Sequence, residues 1–507
     1  MNFIYLLILI LVTFATLFNS IKWGRFAQRE HYLPGSVTRF YFRWVRTKFI
    51  NKFLFLLSLI LFILSLWIEY IPLLILVITM FSPIGINFKP RTGDVVITER
   101  LKRVNYLYYG IVVLISIISY FRFGYLIAIA VNLFSFFIYD QCLRALQSYE
   151  KNISKVFVNQ ASLKLNSVTI PVIGITGSYS KTTTKNVLNQ ILEQKNKTFV
   201  TPESYNNRLG IAKAINEKFD NNDEIALIEM GTYSNGEIRE ICSWVRPHIS
   251  VITGIGPVHL ERMKTLENIL DAKSEIVELA GSVVINGDDE LLLNEARLWT
   301  NQKNVYDCSI TSNDAAVYVE YENNKHDIYV GGDYVDSVNG SKLLQLSISL
   351  SVGVLLALEL DIKEYLTNLN ILEKTQHRQN IIKSDYGHSI IDNSFNSNPM
   401  GIEYSLETLS ELGTKNSKRY LITPGLIELG SDQYSINYAF ATEASLIVDE
   451  ALVVGYTNKR SLMSGFEDNN IPANWFINRD EAVAFLNSIV ESDDIVLFEN
   501  DLPDHYP

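Results

Sequence analysis

Five apolar runs crowd the front of this 507-residue chain: Phe3 to Phe18, Phe53 to Trp67, Ile71 to Ile86, Tyr106 to Tyr120 and Tyr125 to Tyr139. Each is at or below the roughly 20 residues that a membrane-spanning helix needs, so length alone leaves a buried core helix open. The loops between them decide. Lys22, Arg25, Arg29, Arg39, Arg43, Arg46, Lys48 and Lys52 separate the first two runs, and Lys89, Arg91, Arg100, Lys102 and Arg103 follow the third. The other two loops carry only Glu69 and Arg122. Positive loops stay cytoplasmic, so this alternation predicts about five spanning helices within residues 1–150, an outside N-terminus, and everything after Tyr139 in the cytoplasm. The competing reading is a cleaved signal peptide over residues 1–20, but no small-residue cleavage site follows and four more apolar runs do.

Charge divides the chain in the same place. Residues 1–150 hold 15 lysines and arginines against 6 acids, and the remainder holds 29 against 49. A soluble part with that acidic balance argues against a nucleic-acid partner. Cys142, Cys242 and Cys308 have neither metal-ligand spacing nor an even count, which suits a reducing compartment.

Beyond the apolar front, strand and helix patterns alternate. The run "VTIPVIGIT" from Val168 is continuous and β-branched, as a strand buried on both faces of a parallel sheet should be. Similar runs recur at Glu224 to Gly231, Ile249 to Gly256 and Ser282 to Gly287, with amphipathic stretches such as Thr265 to Ala280 between them. Near residue 365 a second set begins ("HSIIDNSF", "RYLITPG", "EALVVG", "DDIVLF"), which predicts a smaller α/β domain.

The first strand runs into "GITGSYSKTTTK" (Gly174 to Lys185), and helical spacing of apolar residues follows. A loop of this kind holds phosphate with backbone N–H groups and the helix dipole, while Lys181 reaches the outer phosphates and Thr182 a Mg²⁺ ion. The eight-residue Walker pattern fails, because Ile175 lies where its first glycine belongs. The shorter G-x-x-x-K-T is also compatible with an ordinary loop and a capping threonine. Glu229 ends a strand at the edge where a metal-bound nucleotide would lie, or is an exposed strand-end carboxylate. His259, in "GIGPVHLE", follows another strand at that edge, as a ligand or as a packing residue. Lys273 falls in the apolar stripe of Leu266, Ile269, Leu270, Val277 and Ala280. It is either a snorkelling stem or an amine with a depressed pKa that is chemically used.

Taken together, "TGSYSKTTTK", "SYNNRLG", "EMGTYSNGEI", "GIGPVHLERMKTLENILDAKSEI", "NGDDE", "HRQN", "DNSFNSNP" and "PGLIELG" resemble, in order and spacing, the Mur ligase family of ATP-dependent amide-forming ligases. The likeness covers about residues 165 to 500. It is greatest to members that add D-alanyl-D-alanine to a UDP-linked muramoyl tripeptide. It implies an ATP-binding, P-loop-like parallel-sheet domain over 151–370 and a smaller Rossmann-like α/β domain over 371–507, behind the α-helical membrane region. The family's roles fall on Lys181 and Thr182 for phosphate and Mg²⁺, and on Glu229 and His259 for Mg²⁺. Lys273 matches the lysine that takes up CO₂ to become a carbamate, which also serves the metal. Gly177, Ser178, Ser180, Thr183, Asn286, Arg378 and Asn393 fall at nucleotide contacts. Lys181, Lys273 and His259 thus form the implied catalytic group, with ATP and Mg²⁺ as cofactors.

Departures accompany the likeness. Ser180 replaces the glycine before the loop lysine, and Asn393 aligns with a nucleotide-contacting aspartate. Gln345 and Leu346 stand at a His-Asn pair, and "END" (Glu499 to Asp501) at a Lys-Gly-Ser. The domain that holds the UDP-sugar in the family has the membrane region in its place. The expectation is a multi-pass protein of the cell membrane with cytoplasmic ligase domains. It would join an amino acid or dipeptide amine to a carboxylate on a cell-envelope precursor, lipid-linked precursors included. Two alternatives are the standard D-alanyl-D-alanine-adding ligase and a degenerate, non-catalytic membrane scaffold.

Overall fold

The computed structural model describes residues 3–507 except 69, 87–95, 368, 370–371, 373–379, 385–386, 395–398, 415–416 and 504. The apolar front folds into α1 (Phe3–Arg29), α2 (Ser36–Thr47), α3 (Phe49–Leu64), α4 (Ile71–Phe81), α5 (Glu99–Ile118), α6 (Leu126–Leu133) and α7 (Ser135–Leu165). Five separate spans are not found among the described residues. Among the described residues two helices are long and apolar enough to cross a membrane, Tyr5–Arg29 and Glu99–Arg122. The pairs α2 with α3 and α6 with α7, bent by 111° and 75°, raise the number to four if each pair is one span. With 11 residues, α4 reaches about 16 Å against a hydrocarbon core of ~30 Å. Loop charge reports the side on which a loop lies, not the length of the helices it joins, and so it overcounts them.

Gly35, which precedes α2, supplies no side-chain cap. Asp140 of α7 does so instead, accepting from the backbone N–H groups of Gly35, Val37 and Thr38 at 2.9, 3.3 and 2.7 Å. α7 then continues out of the apolar bundle, and its Val158, Ala161 and Leu165 join the core of the next domain.

That domain is built on nine strands: β1 (Val172–Thr176), β2 (Thr198–Val200), β3 (Ile225–Glu229), β4 (Ile249–Ile252), β5 (Ser282–Asn286), β6 (Asn304–Ser309), β7 (Val317–Glu322), β8 (Lys325–Val330) and β9 (Asp333–Asn339). Their order is β2-β3-β1-β4-β5-β6-β7-β8-β9. The sheet is parallel from β2 through β7, and β7, β8 and β9 form an antiparallel edge that the strand-helix rhythm does not predict. The chain passes from β1 to β2 and β3 on one side and to β4 on the other. The loop after β1 therefore lies at the switch point, where open α/β sheets bind ligands.

A second sheet holds β10 (Asn380–Lys383), β11 (Ser389–Asn393), β12 (Arg419–Thr423), β13 (Glu450–Val454), β14 (Ala473–Phe476) and β15 (Ile495–Glu499) in the order β10-β11-β15-β12-β13-β14. All neighbours are parallel except β10 on β11.

Candidate active site

The loop after β1 enters helix α8 (Lys181–Leu192) through Ser180, which sits in the left-handed region at φ 57°. Serine thus takes a conformation that glycine adopts without strain. The residue that must be glycine is Gly177, because a Cβ there would stand 2.0 Å from Thr253 Oγ1. Ser178 fastens the loop to the segment after β4: its N–H donates to Gly254 O at 2.8 Å, and its Oγ accepts from Gly256 N–H at 2.8 Å.

Two ammonium groups converge on this loop. Lys181 Nζ donates to Gly177 O at 2.6 Å, and Lys273 Nζ donates to the same oxygen at 2.8 Å. Lys273 lies on Leu266–Ser274 and is 3% exposed, so the lysine in the apolar stripe faces inward rather than snorkelling out. Burial, with Lys181's charge added, holds its amine well below the ordinary lysine range. A neutral amine is the form that adds CO₂.

Across the site Glu229, at the end of β3, is 2% exposed. It accepts from Thr182 Oγ1 at 3.0 Å, Lys185 Nζ at 3.1 Å and Asn206 Nδ2 at 3.1 Å. Burial alone would raise its carboxyl, but the charges of Lys185 and Lys181 and these hydrogen bonds hold it below the usual range. Lys185 also donates to Thr201 O at 2.8 Å. It is a site residue that the sequence pattern does not single out, although it sits one turn beyond Lys181 on the same helix face. Thr183 is buried in the first turn of α8, and Asn286, at the end of β5, donates to Thr253 O at 3.4 Å, bracing the strand that faces Gly177.

Lys181, Thr182, Glu229 and Lys273 are thus brought to one loop. His259 is turned elsewhere: its Nδ1 is hydrogen-bonded to Glu428 of the second sheet's domain, and its ring stands edge-on to Tyr233 at 4.7 Å. No group of three or more His, Cys, Asp or Glu side chains able to hold a metal occurs among the described residues. The adjacent Thr182 hydroxyl and Glu229 carboxylate are nevertheless hard oxygen donors suited to Mg²⁺ alongside phosphate oxygens. Arg378 lies outside the described residues. Gln345 donates to Val319 O at 2.8 Å and so serves the sheet.

Asn393 and Glu499, two of the departures, are partners. The register of β11 on β15 places them side by side, and Asn393 Nδ2 donates to both Glu499 oxygens at 3.0 and 2.9 Å.

Residues 175–350 match the Mur ligase middle domain. The UDP-N-acetylmuramoyl-tripeptide--D-alanyl-D-alanine ligase of Bacillus subtilis is 24% identical over 366 residues, 65% of this chain and 75% of that protein. The ligase of the same name from Borreliella burgdorferi is 27% identical over 333 residues, covering 62% and 70%. Among solved structures, MurF from Acinetobacter baumannii superposes with a TM-score of 0.60 at 21% identity, covering 68% of this chain and 76% of that one. The MurF ligase from Thermotoga maritima in complex with ADP gives 0.58 at 22%, covering 68% and 80%. The sheet order, the loop after β1 and these likenesses agree: residues 175–350 carry a Mur ligase middle domain, and the chain shares the fold of the solved MurF structures.

Proposed function

We propose that this chain is a membrane-anchored, ATP-dependent, ADP-forming ligase that joins an amino acid or dipeptide amine to a carboxylate on a cell-envelope precursor. The observation that carries it is the convergence of Lys181, Thr182, Glu229 and Lys273 on the Gly177 loop at the sheet's switch point. ATP supplies the γ-phosphoryl group: the carboxylate oxygen attacks it, ADP leaves, the amine attacks the acyl carbon, and phosphate leaves with an amide formed. The chain's task is charge. Lys181 and the N-terminus of α8 draw the phosphates into the loop. Thr182 and Glu229 offer oxygen to Mg²⁺, and Lys185 keeps Glu229 ionised and fixed. Relatives named for adding D-alanyl-D-alanine to a UDP-muramoyl tripeptide make that pair the first substrates to try.

The apolar front supports placement in a membrane, with the ligase domains on the cytoplasmic side where ATP is found. That location favours a precursor held at the lipid over a freely soluble one.

The test is phosphate release by the full-length protein in nanodiscs with D-alanyl-D-alanine and either a UDP-linked or a lipid-linked muramoyl tripeptide. ADP and an amide product in step, faster with the lipid-linked acceptor, are expected. Nucleotide binding without turnover on any envelope extract would leave the scaffold reading in its place.

A further inference from the structure

Lys185 is 1% exposed, although a lysine ordinarily carries its ammonium out to water. Two of its three N–H donors are spent inside, on Thr201 O at 2.8 Å and on Glu229 Oε2 at 3.1 Å. Thr201 is in turn fixed to the same strand end, because its Oγ1 accepts from Glu229 N–H at 3.0 Å. The ammonium therefore cannot swing away from the carboxylate without leaving a buried carbonyl and a buried charge unanswered.

Both oxygens of Glu229 are in use. Oε1 accepts from Asn206 Nδ2 at 3.1 Å, and Oε2 accepts from Thr182 Oγ1 at 3.0 Å as well as from Lys185. The oxygen beside Thr182, where Mg²⁺ would find its two hard donors, is thus the one that Lys185 holds. Lys181 and Lys185 bring two positive charges to this corner against the single negative charge of Glu229. A dication arriving alone would meet a net positive surrounding that water screens poorly. Two protein oxygens are also few for an ion that takes octahedral coordination. No group of three or more His, Cys, Asp or Glu side chains adds to them among the described residues. Nucleotide phosphates reverse both conditions, since they carry negative charge into the loop and supply further oxygens.

We propose that Lys185 is a positioning residue that stands in for metal charge at Glu229 and bars Mg²⁺ from binding alone, so that the ion enters only with nucleotide phosphates. The proposal rests on the ligase reading for its metal and nucleotide. It adds an order of binding and the residue that imposes it.

Mn²⁺ takes the same oxygen ligands and is counted by electron paramagnetic resonance, so it is the probe. It is titrated without nucleotide into the full-length protein in phosphatidylcholine nanodiscs. Lys185→Met keeps the stem and loses the charge, and Lys185→Gln keeps a donor for Thr201 O; both should bind Mn²⁺ at least about tenfold more tightly than the parent. Mg²⁺ alone should also raise the melting temperature of both variants by a few degrees and leave the parent's unchanged. A merely structural lysine would lower both melting temperatures without creating a metal site. Equal Mn²⁺ affinities in the parent and the two variants overturn the proposal. Should the lysine variants fail to fold, the parent decides: Mn²⁺ bound without nucleotide more tightly than by Glu229→Gln overturns the proposal, and no difference between the two supports it. Failure of the parent to bind ADP with Mg²⁺ would defeat the ligase reading and leave the nucleotide-free comparison standing.

Discussion

Lys181 and Lys273, 92 positions apart, donate to one carbonyl oxygen, that of Gly177, at 2.6 and 2.8 Å. Two ammonium groups that close repel each other, and the fully buried one loses its charge first. Below the ordinary lysine pKa of 10.5 the unfolded chain binds a proton that folded Lys273 does not. Its burial therefore subtracts stability, increasingly as pH falls from 10.5 toward the folded value. Lys273→Met should raise the melting temperature at neutral pH in bicarbonate-free buffer while removing turnover. Lys273→Ala should cost at least about a hundredfold in kcat with the fold retained, and bicarbonate should raise the activity of the parent alone. Normal turnover by Lys273→Ala would remove this residue from the site.

The strained serine gives a second expectation. Ser180→Gly relieves the left-handed φ and should keep or tighten nucleotide affinity, with a stability change within about 1 kcal/mol. Gly177→Ala sets a Cβ against Thr253 and should abolish nucleotide binding. Equal ADP affinities for parent and Gly177→Ala by calorimetry would contradict the loop geometry.

Asn393 beside Glu499 yields a double-mutant cycle. Asn393→Asp places two carboxylates together where Glu499 is fully buried, and should cost about 3 kcal/mol of unfolding free energy. Glu499→Gln in the same chain restores an amide facing a carboxylate, with the roles exchanged, and should recover most of it. Additive losses in urea denaturation would show that the two side chains do not interact.

Glu428 supplies the pH dependence. Burial opposes its charge, but His259 and Arg262 bring its carboxyl down to about 2 from 4.5. A depressed carboxylate contributes stability that is complete above 4.5 and is lost as pH falls from 4.5 through about 2. The shift corresponds to roughly 3 kcal/mol. Glu428→Gln should flatten the stability profile between those pH values, and an unchanged profile would mean that the ion pair with His259 does not form.

How much of this was legible in the sequence differs from residue to residue. Lys273 was legible because a lysine in an apolar stripe violates the helical pattern within one turn on either side. The loop and Glu229 were legible because β-branched runs fix strand ends, and strand ends fix the site edge. Lys185 was not, since a lysine one turn into a helix ordinarily faces water, and only the β1–β3 pairing brings Glu229 to it. His259 with Glu428 spans 169 positions and joins two domains, a relation that no local pattern encodes. The residues at 393 and 499 were each visible as departures, but their compensation appears only in the register of β11 on β15. The apolar front shows the reverse limit, where composition identified the region and the bends at α2–α3 and α6–α7 set its geometry.

The buried carboxylate of Glu30, which ends the first helix, accepts from Arg262 at 2.6 Å and from His505 at 3.0 Å. His505 is 475 positions later, and its carbonyl also accepts from Trp44 Nε1 at 2.9 Å. At ~5–20 residues per second, a ribosome needs roughly half a minute to a minute and a half to cover that distance. During that interval the helices from the front of the chain have emerged while Glu30 still lacks its last partner. Arg39, only nine positions on, can already answer the charge of Glu30, but the junction stays open until residue 505 has emerged.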